Sequence, residues 1–473
     1  MASQDDQRSA SVSELEREPL LSSTSDTTCT KKVQRTRLPY VQLSILLYLI
    51  FCQGAASHSI YPFENELLRR FADGDEGKAA YYASIMDACR HFASLVAVLY
   101  LSRASDYLGR KPMLILSLVT MAISTFFLGI STTFWAVVAS RCLYGLLNNV
   151  EATVKTSIGE ITDESNRADA FAVLSIPWVL GGTMGSLLSG YLANPAERWP
   201  ILFNGVHWHK LPYLLPCGVN ALLCSIGLLL VCFWFRETLQ RRYESSQDSR
   251  KLVPIRTLLT PRVVFTTVID VSYSFFQAAA FALEPLFLGM PISDGGFGLR
   301  PAQIGSLLFI YGLISSGVHS LCMGPLVRRF GLRAVTMTAC VSFIPMFLLI
   351  PLANFFAKDW LMTGNPLSHI LMQTFILLLY VCFCLNGFGY LCIPVYITSS
   401  APNKQSLGSI NGITQVPALF SKLVGSSFAT FLLGLSIRKE WMGGYAVYFV
   451  MSFMACGCVV LAARLPRDGW PNV

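Results

Sequence analysis

The feature that most constrains this chain is a succession of apolar runs, each about 20 residues long, from residue 40 almost to the C-terminus. That length crosses roughly 30 Å of hydrocarbon. In lipid every backbone polar group must be satisfied within the segment, so the runs are expected to be helices. The weak alternation of a membrane barrel is absent. The spans fall near 41–63, 80–101, 112–130, 133–153, 170–193 and 212–235, and again near 263–290, 301–325, 334–356, 368–396, 407–434 and 443–463. A soluble reading fails on composition: 53% of the residues are apolar and 14% charged, against roughly 25% charged in soluble domains. Interior linkers between soluble domains are missing.

The formal charge of +8 follows the membrane rather than a nucleic acid. With a cytosolic N-terminus, cytosolic segments near the membrane carry roughly 22 Lys and Arg against about 9 outside. Arg236, Arg241, Arg242, Arg250, Lys251, Arg256 and Arg262 in the middle loop supply the largest share. The opposite orientation reverses the ratio.

The clearest repeat has an offset of 222 residues. Ser102 to Lys111 follows the second span, and Gly324 to Arg333 follows the eighth. The same offset carries the start of the first span onto that of the seventh. The expectation is an all-α membrane protein of about twelve transmembrane helices in two pseudo-symmetric six-helix halves. Its parts are a disordered cytosolic tail (1–38), an N-terminal half (39–235), a basic cytosolic linker (236–262), a C-terminal half (263–464) and a short cytosolic tail (465–473).

Ionisable groups inside spans are costly and are functional candidates. In the seventh span Asp270, Gln277 and Glu284 recur at seven-residue intervals, a drift of about 20° per step that keeps one face. The first span carries Gln53, Ser57, Tyr61 and Glu64 at helical spacing, the fourth Arg141, Asn148 and Lys155, and the tenth Asn386 and Tyr390. These stripes suit a wet cavity between the halves. The alternative is that some snorkel to the interface or bond within the bundle. In the second span Asp87 can pair with Arg90 at i,i+3 or His91 at i,i+4. A structural ion pair is the preferred reading there, with a proton relay through His91 as the sharper one. Lys422 has no obvious local partner.

Ser102-Arg103-Ala104-Ser105-Asp106-Tyr107-Leu108-Gly109-Arg110-Lys111-Pro112 resembles the loop 2–3 signature of the major facilitator superfamily, G-x-x-x-D-R-x-G-R-K. It keeps Asp106, Gly109, Arg110 and Lys111, with Ser102 and Tyr107 departing from the pattern. A tight turn needs Gly109, the cations hold the loop at the cytosolic side, and Asp106 can meet a helix N-terminus or an arginine when the halves close. Arg141 to Gly145 resembles the helix 4 motif R-x-x-x-G of the drug:proton antiporter branch, and the stretch through Gly159-Glu160 is similar to fungal members. Gly181, Gly185 and Gly190 fall where that branch has its fifth-helix packing motif, but Ser186 and Ser189 replace a proline and a glycine. Gly425 answers to the same motif in span eleven, with Lys422 and Ser426 replacing arginine and proline. Small residues still permit close helix approach. The resemblance implies that helices 1, 4, 7 and 10 line the central cavity.

The function expected is secondary active transport, by proton-coupled export or sequestration of a drug, toxin or secondary metabolite through alternating access. A nutrient-uptake symporter and a non-transporting sensor are the alternatives. An enzyme is least expected, because no nucleophile–base set is apparent. Glu284 leads as proton carrier, Asp270 is the alternate, and Asp87 and His91 are further candidates. Gln53, Ser57, Tyr61, Arg141, Asn148, Gln277, Asn386 and Tyr390 are the cavity candidates. Partners are the bilayer, protons and a small molecule, with no nucleic acid, no cofactor and a monomer as the working unit. No metal is expected: the 14 cysteines lack metal or disulfide spacing, and His207-Trp208-His209 reads as an interfacial loop. The tail shows no cleavable signal. Glu16-Arg17-Glu18-Pro19-Leu20-Leu21 resembles an acidic dileucine sorting signal, which points to a vacuole-like compartment rather than the cell surface; the membrane expected is the plasma membrane or a vacuolar or other endomembrane.

Overall fold

A computed structural model describes residues 39–162, 174–238, 259–400 and 407–467. The tail with its dileucine sequence, most of the basic linker and the last six residues lie outside the described residues, as does the side chain of Asp106.

The described residues form rods in the expected order. They are α1 (Tyr40–His58), α2 (Glu64–Phe71), α3 (Glu76–Leu108), α4 (Arg110–Ile130), α5 (Phe134–Leu147), α6 (Val150–Ile161), α7 (Ser175–Leu192) and α8 (Leu214–Phe233). Then follow α9 (Pro261–Gly289), α10 (Pro301–Phe330), α11 (Leu332–Val341), α12 (Phe343–Thr363), α13 (Pro366–Ser399), α14 (Leu407–Arg438) and α15 (Ala446–Ala462). Eight stretches are long and apolar enough to cross a membrane, with α11 and α12 forming one of them. The other four rods of the twelve are α3, diluted by Asp87, Arg90 and His91; the broken pair α5 and α6; α7; and α15, which has 17 residues.

Two spans differ from the even rods expected. The first helix stops at His58, and Tyr61–Phe63 form a 3-10 turn with Pro62 in it. Proline withdraws a donor, so Glu64 starts the separate helix α2 and leaves the stripe of Gln53 and Ser57. The fourth span breaks at Asn148 and Asn149. Ser117 Oγ takes the Asn149 N–H (3.1 Å), and Asn148 Oδ1 takes that of Val150 (3.4 Å). Side chains thus replace the ladder bonds lost at the break.

The internal repeat has a backbone counterpart. Gly109 joins α3 to α4 with φ 108° and ψ 166°, and Gly331 joins α10 to α11 with φ 83° and ψ 156°. Only glycine adopts this region without strain, and these two positions are 222 apart. Their cations also act alike. Lys111 Nζ donates to the carbonyls of Cys232 (3.0 Å) and Phe235 (2.9 Å) at the end of α8, and Arg333 donates to the Ala463 carbonyl just past α15.

The halves meet along α3 with α14 and α7 with α10. At the end of the bundle opposite Gly109, a Cβ on Gly190 would meet the Pro301 carbonyl oxygen at 2.4 Å, and one on Gly77 would meet Arg438 Cγ at 2.5 Å. At the end bearing Gly109 and Gly331, Tyr107, Leu108 and Phe330 are exposed. The halves therefore touch closely at the far end.

Candidate functional site

Helix packing brings the polar residues inward. Gly181 and Gly185 on α7 lie against the backbone of α1: a Cβ would sit 2.1 Å from the Phe51 carbonyl oxygen and 2.5 Å from that of Ala55. Gly425 on α14 lies against α9 in the same way, 2.3 Å from the Phe275 oxygen. Small residues thus let α1 and α9 approach their partners backbone to backbone.

In the first half, Arg90 Nη2 donates to Asp87 Oδ1 (3.2 Å) and to His91 Nε2 (2.8 Å). A guanidinium only donates, so His91 Nε2 accepts. Of the two pairings open in the sequence, Asp87 takes Arg90. Arg141 is buried with its guanidinium over the Tyr144 ring at 5.6 Å, and its Nε has no hydrogen-bond partner. The Tyr144 hydroxyl meets Ser57 Oγ at 2.6 Å, tying α5 to α1. One turn along α1, Gln53 is buried with Oε1 unpartnered. Tyr61 stands edge-on to His58, with centroids 5.3 Å apart. Glu64 is buried nearby, and its charge acts on Arg141.

In the second half, Asp270 lies among Lys422 and Ser274. Tyr390 is 51% exposed, yet the charges acting on it are Glu151, Lys155 and Asp270 from α6 and α9. Tyr390 is thus exposed while charged groups of both halves act on it. Glu151 and Lys155 form an ion pair there (2.5 Å). Glu284 is buried deeper along α9, and its hydrogen bond comes from the Tyr380 hydroxyl (3.0 Å), with Tyr311 packed on Tyr380 at 5.1 Å. Fourteen residues at 1.5 Å rise separate Asp270 from Glu284 by about 21 Å, so the two carboxylates occupy different depths. Gln277 sits half-buried between them. Asn386 is engaged elsewhere: its carbonyl and Oδ1 take the Tyr273 hydroxyl, and its Nδ2 donates to the Ala339 carbonyl. Its polar atoms serve packing within the half.

At the end bearing Gly109, a carboxylate network surrounds the turn residues. Arg110 donates to Glu160 Oε1 from Nε (3.2 Å) and Nη2 (3.0 Å), and to Ser105 Oγ from Nη1 (2.7 Å). Glu237 accepts the backbone N–H of Arg110 (2.8 Å) and of Lys111 (3.0 Å), so its charge sits on the N-terminus of α4. Thr238 donates to Glu160 Oε2 (2.7 Å) and closes the network. Sequence reasoning missed Glu237, Glu151 and Tyr380. The available signal for Glu237 was an acid shortly after a helix end, at the start of a basic loop.

The model of the Major Facilitator Superfamily matches residues 46–416. The chain belongs to that superfamily. It is 25% identical to the major facilitator-type transporter psiT2 of Psilocybe cyanescens, covering 94% of this chain and 95% of that protein. It is 24% identical to the multidrug transporter mfsB of Aspergillus fumigatus (90% and 83% covered), and 25% identical to the efflux pump azaK of Aspergillus niger (90% and 88%). In fold it is similar to a D-xylose-proton symporter, with a TM-score of 0.68 at 14% identity over 92% of this chain and 99% of that one. This superfamily member is an integral, multi-pass membrane transporter.

Proposed function

We propose that this transporter couples proton movement to the export or sequestration of a small organic molecule by alternating access. The observation that carries the reading is Glu284, a buried carboxyl whose hydrogen-bond partner is a tyrosine and not a cation. An uncompensated charge in such a place costs several kcal/mol, so the group can exist cheaply as a proton carrier. The names of the multidrug transporter mfsB and the efflux pump azaK favour outward movement of a drug-like molecule. The cavity charges between the halves form the substrate chamber, and the Asp106–Lys111 turn, held by Glu160 and Glu237, forms the gate. Asp270, Asp87 and His91 are the reserve proton sites.

The working unit is a monomer in the plasma membrane or an endomembrane, with the termini and the 236–262 loop in the cytosol. The positive charge of that loop supports the orientation. A cysteine introduced at Asp248 and labelled only from the cytosolic side is the expected result, and labelling from outside would reverse the orientation. Direction is tested in proteoliposomes with an imposed proton gradient, using the compound that distinguishes cells with and without the gene. Substrate moving against the proton flow is expected. Substrate moving with the protons would make the chain an uptake symporter instead.

A further inference from the structure

The charges of the first half do not all find partners. The part-buried Arg90 is paired with Asp87 and the exposed Lys155 with Glu151. Arg141 is different. It is 7% exposed, makes no ion pair or hydrogen bond with any described residue, and its Nε is fully enclosed. The groups whose charge or dipole acts on it are Arg90, Tyr144, Glu64 and Tyr61, and Glu64 is not in direct contact. A guanidinium presents donors in a rigid fork that fits a carboxylate or phosphate, and leaving those donors unmet in the interior is costly.

A second observation points the same way. The fields of Arg90, Arg141 and Lys422 meet at His91, and these cations come from α3, α5 and α14, hence from both halves. Lys422 also makes no direct ion pair with a described residue, although Asp270 and Glu151 act on it from a distance. Three cations therefore focus on one place, and only Arg90 has a carboxylate in contact. Gln53 Oε1, on the same wall, is a buried acceptor without a donor.

We propose that Arg141 is the anion-binding residue of the substrate chamber, and that the transported molecule carries a carboxylate or phosphate monoester which docks on its guanidinium. The Tyr144 ring beneath the guanidinium and the Ser57 hydroxyl bonded to Tyr144 hold the fork in place. Gln53 reads an N–H or O–H of the same molecule about one helical turn away along α1. This inference rests on the reading of the chain as a carrier of small organic molecules, and it narrows that class to organic anions.

The test uses the purified full-length chain at equal pH with no gradient, and reads binding by the rise in melting temperature with four probes. The probes are 2-naphthoate, 2-naphthyl phosphate, 2-naphthamide and 2-naphthylmethylammonium. The expected result is that one or both anions bind at least tenfold more tightly than the amide and the cation. The stronger of the two anions tells carboxylate from phosphate. Arg141→Gln should remove that preference, and Arg141→Lys should keep a weakened one. The wild-type comparison of naphthoate with naphthamide stands even where a variant does not fold. Equal binding of anions and amide, no response to either anion, or an undiminished preference in folded Arg141→Gln would each overturn the proposal. Because the assay imposes no gradient, its failure leaves proton coupling intact, and a failure of proton-driven flux leaves the anion site intact.

Discussion

The two halves share a backbone design and differ in how they treat charge. Gly109 and Gly331 turn alike, Lys111 and Arg333 both tie a following rod to the end of the last helix of their half, and Gly185 and Gly425 both press on a neighbouring backbone. Yet every ion pair between described residues lies in the first half, from Arg70–Glu66 to Lys155–Glu151. In the second half, three ionisable groups have neutral hydrogen-bond partners. Glu284 meets Tyr380, Lys358 meets Tyr445, and Arg333 meets backbone carbonyls. A duplicated scaffold thus carries two electrostatic regimes. An ion pair fixes charge in place, whereas a carboxyl facing a hydroxyl can change charge without losing a salt bridge. On the proposed reading, that difference puts gating and substrate charge in the first half and the leading proton site, Glu284, in the second.

The shared scaffold can be broken first, with the largest effect expected. Gly185→Ala and Gly425→Ala each drive a methyl onto a carbonyl oxygen, at 2.5 Å from Ala55 and 2.3 Å from Phe275. Overpacking of this kind costs about 1–3 kcal/mol, so both variants should melt lower by a similar amount. Gly457→Ala, where a Cβ meets nothing within 4 Å, is the control and should be neutral or slightly stabilising. A large effect in only one half would mean that the pseudo-symmetry does not extend to packing.

The difference between the halves is sharpened at the turns. Glu237→Ala leaves the N–H groups of Arg110 and Lys111 without their carboxylate, a loss of about 1–2 kcal/mol for a helix cap. It should lower both stability and transport rate. Arg333→Ala removes a side-chain contact to one carbonyl, but the backbone bond from Arg333 N–H to the Arg467 oxygen (3.1 Å) remains. Its effect should be the smaller, about 1 kcal/mol or less. Equal losses in melting and flux measurements would erase the distinction. A finer effect is expected from Tyr380→Phe, which removes one hydrogen bond of about 1 kcal/mol. It should displace the pH profile of transport while barely changing the melting temperature. An unmoved profile would separate Tyr380 from the proton path.

Much of this was legible in the sequence where the signal is local or repeated. Span order follows from apolar runs, the twofold plan from the 222-residue offset, and the Asp87–Arg90 pair from i,i+3 spacing. What escaped depends on contacts between distant segments. Glu237 reaches Lys111 across 126 residues and Tyr380 reaches Glu284 across 96, so nothing near either residue announces its partner. Helical periodicity also misled at the ends of spans. It placed Glu64 on the first stripe, although Pro62 turns the chain into a separate helix. In the middle of a span it grouped Asn386 with the cavity, and Tyr273 and Ala339 occupy its amide.

The division of labour between the halves is tested most directly by comparing proton-driven accumulation with substrate exchange at equal pH, in proteoliposomes holding wild-type chain or Glu284→Gln. Glutamine keeps an acceptor for Tyr380 but cannot carry a proton. Driven accumulation should be abolished while exchange continues at close to the wild-type rate. Loss of both in equal measure would make Glu284 a substrate or folding residue, and unchanged driven accumulation would remove the second-half carboxyl from the coupling mechanism.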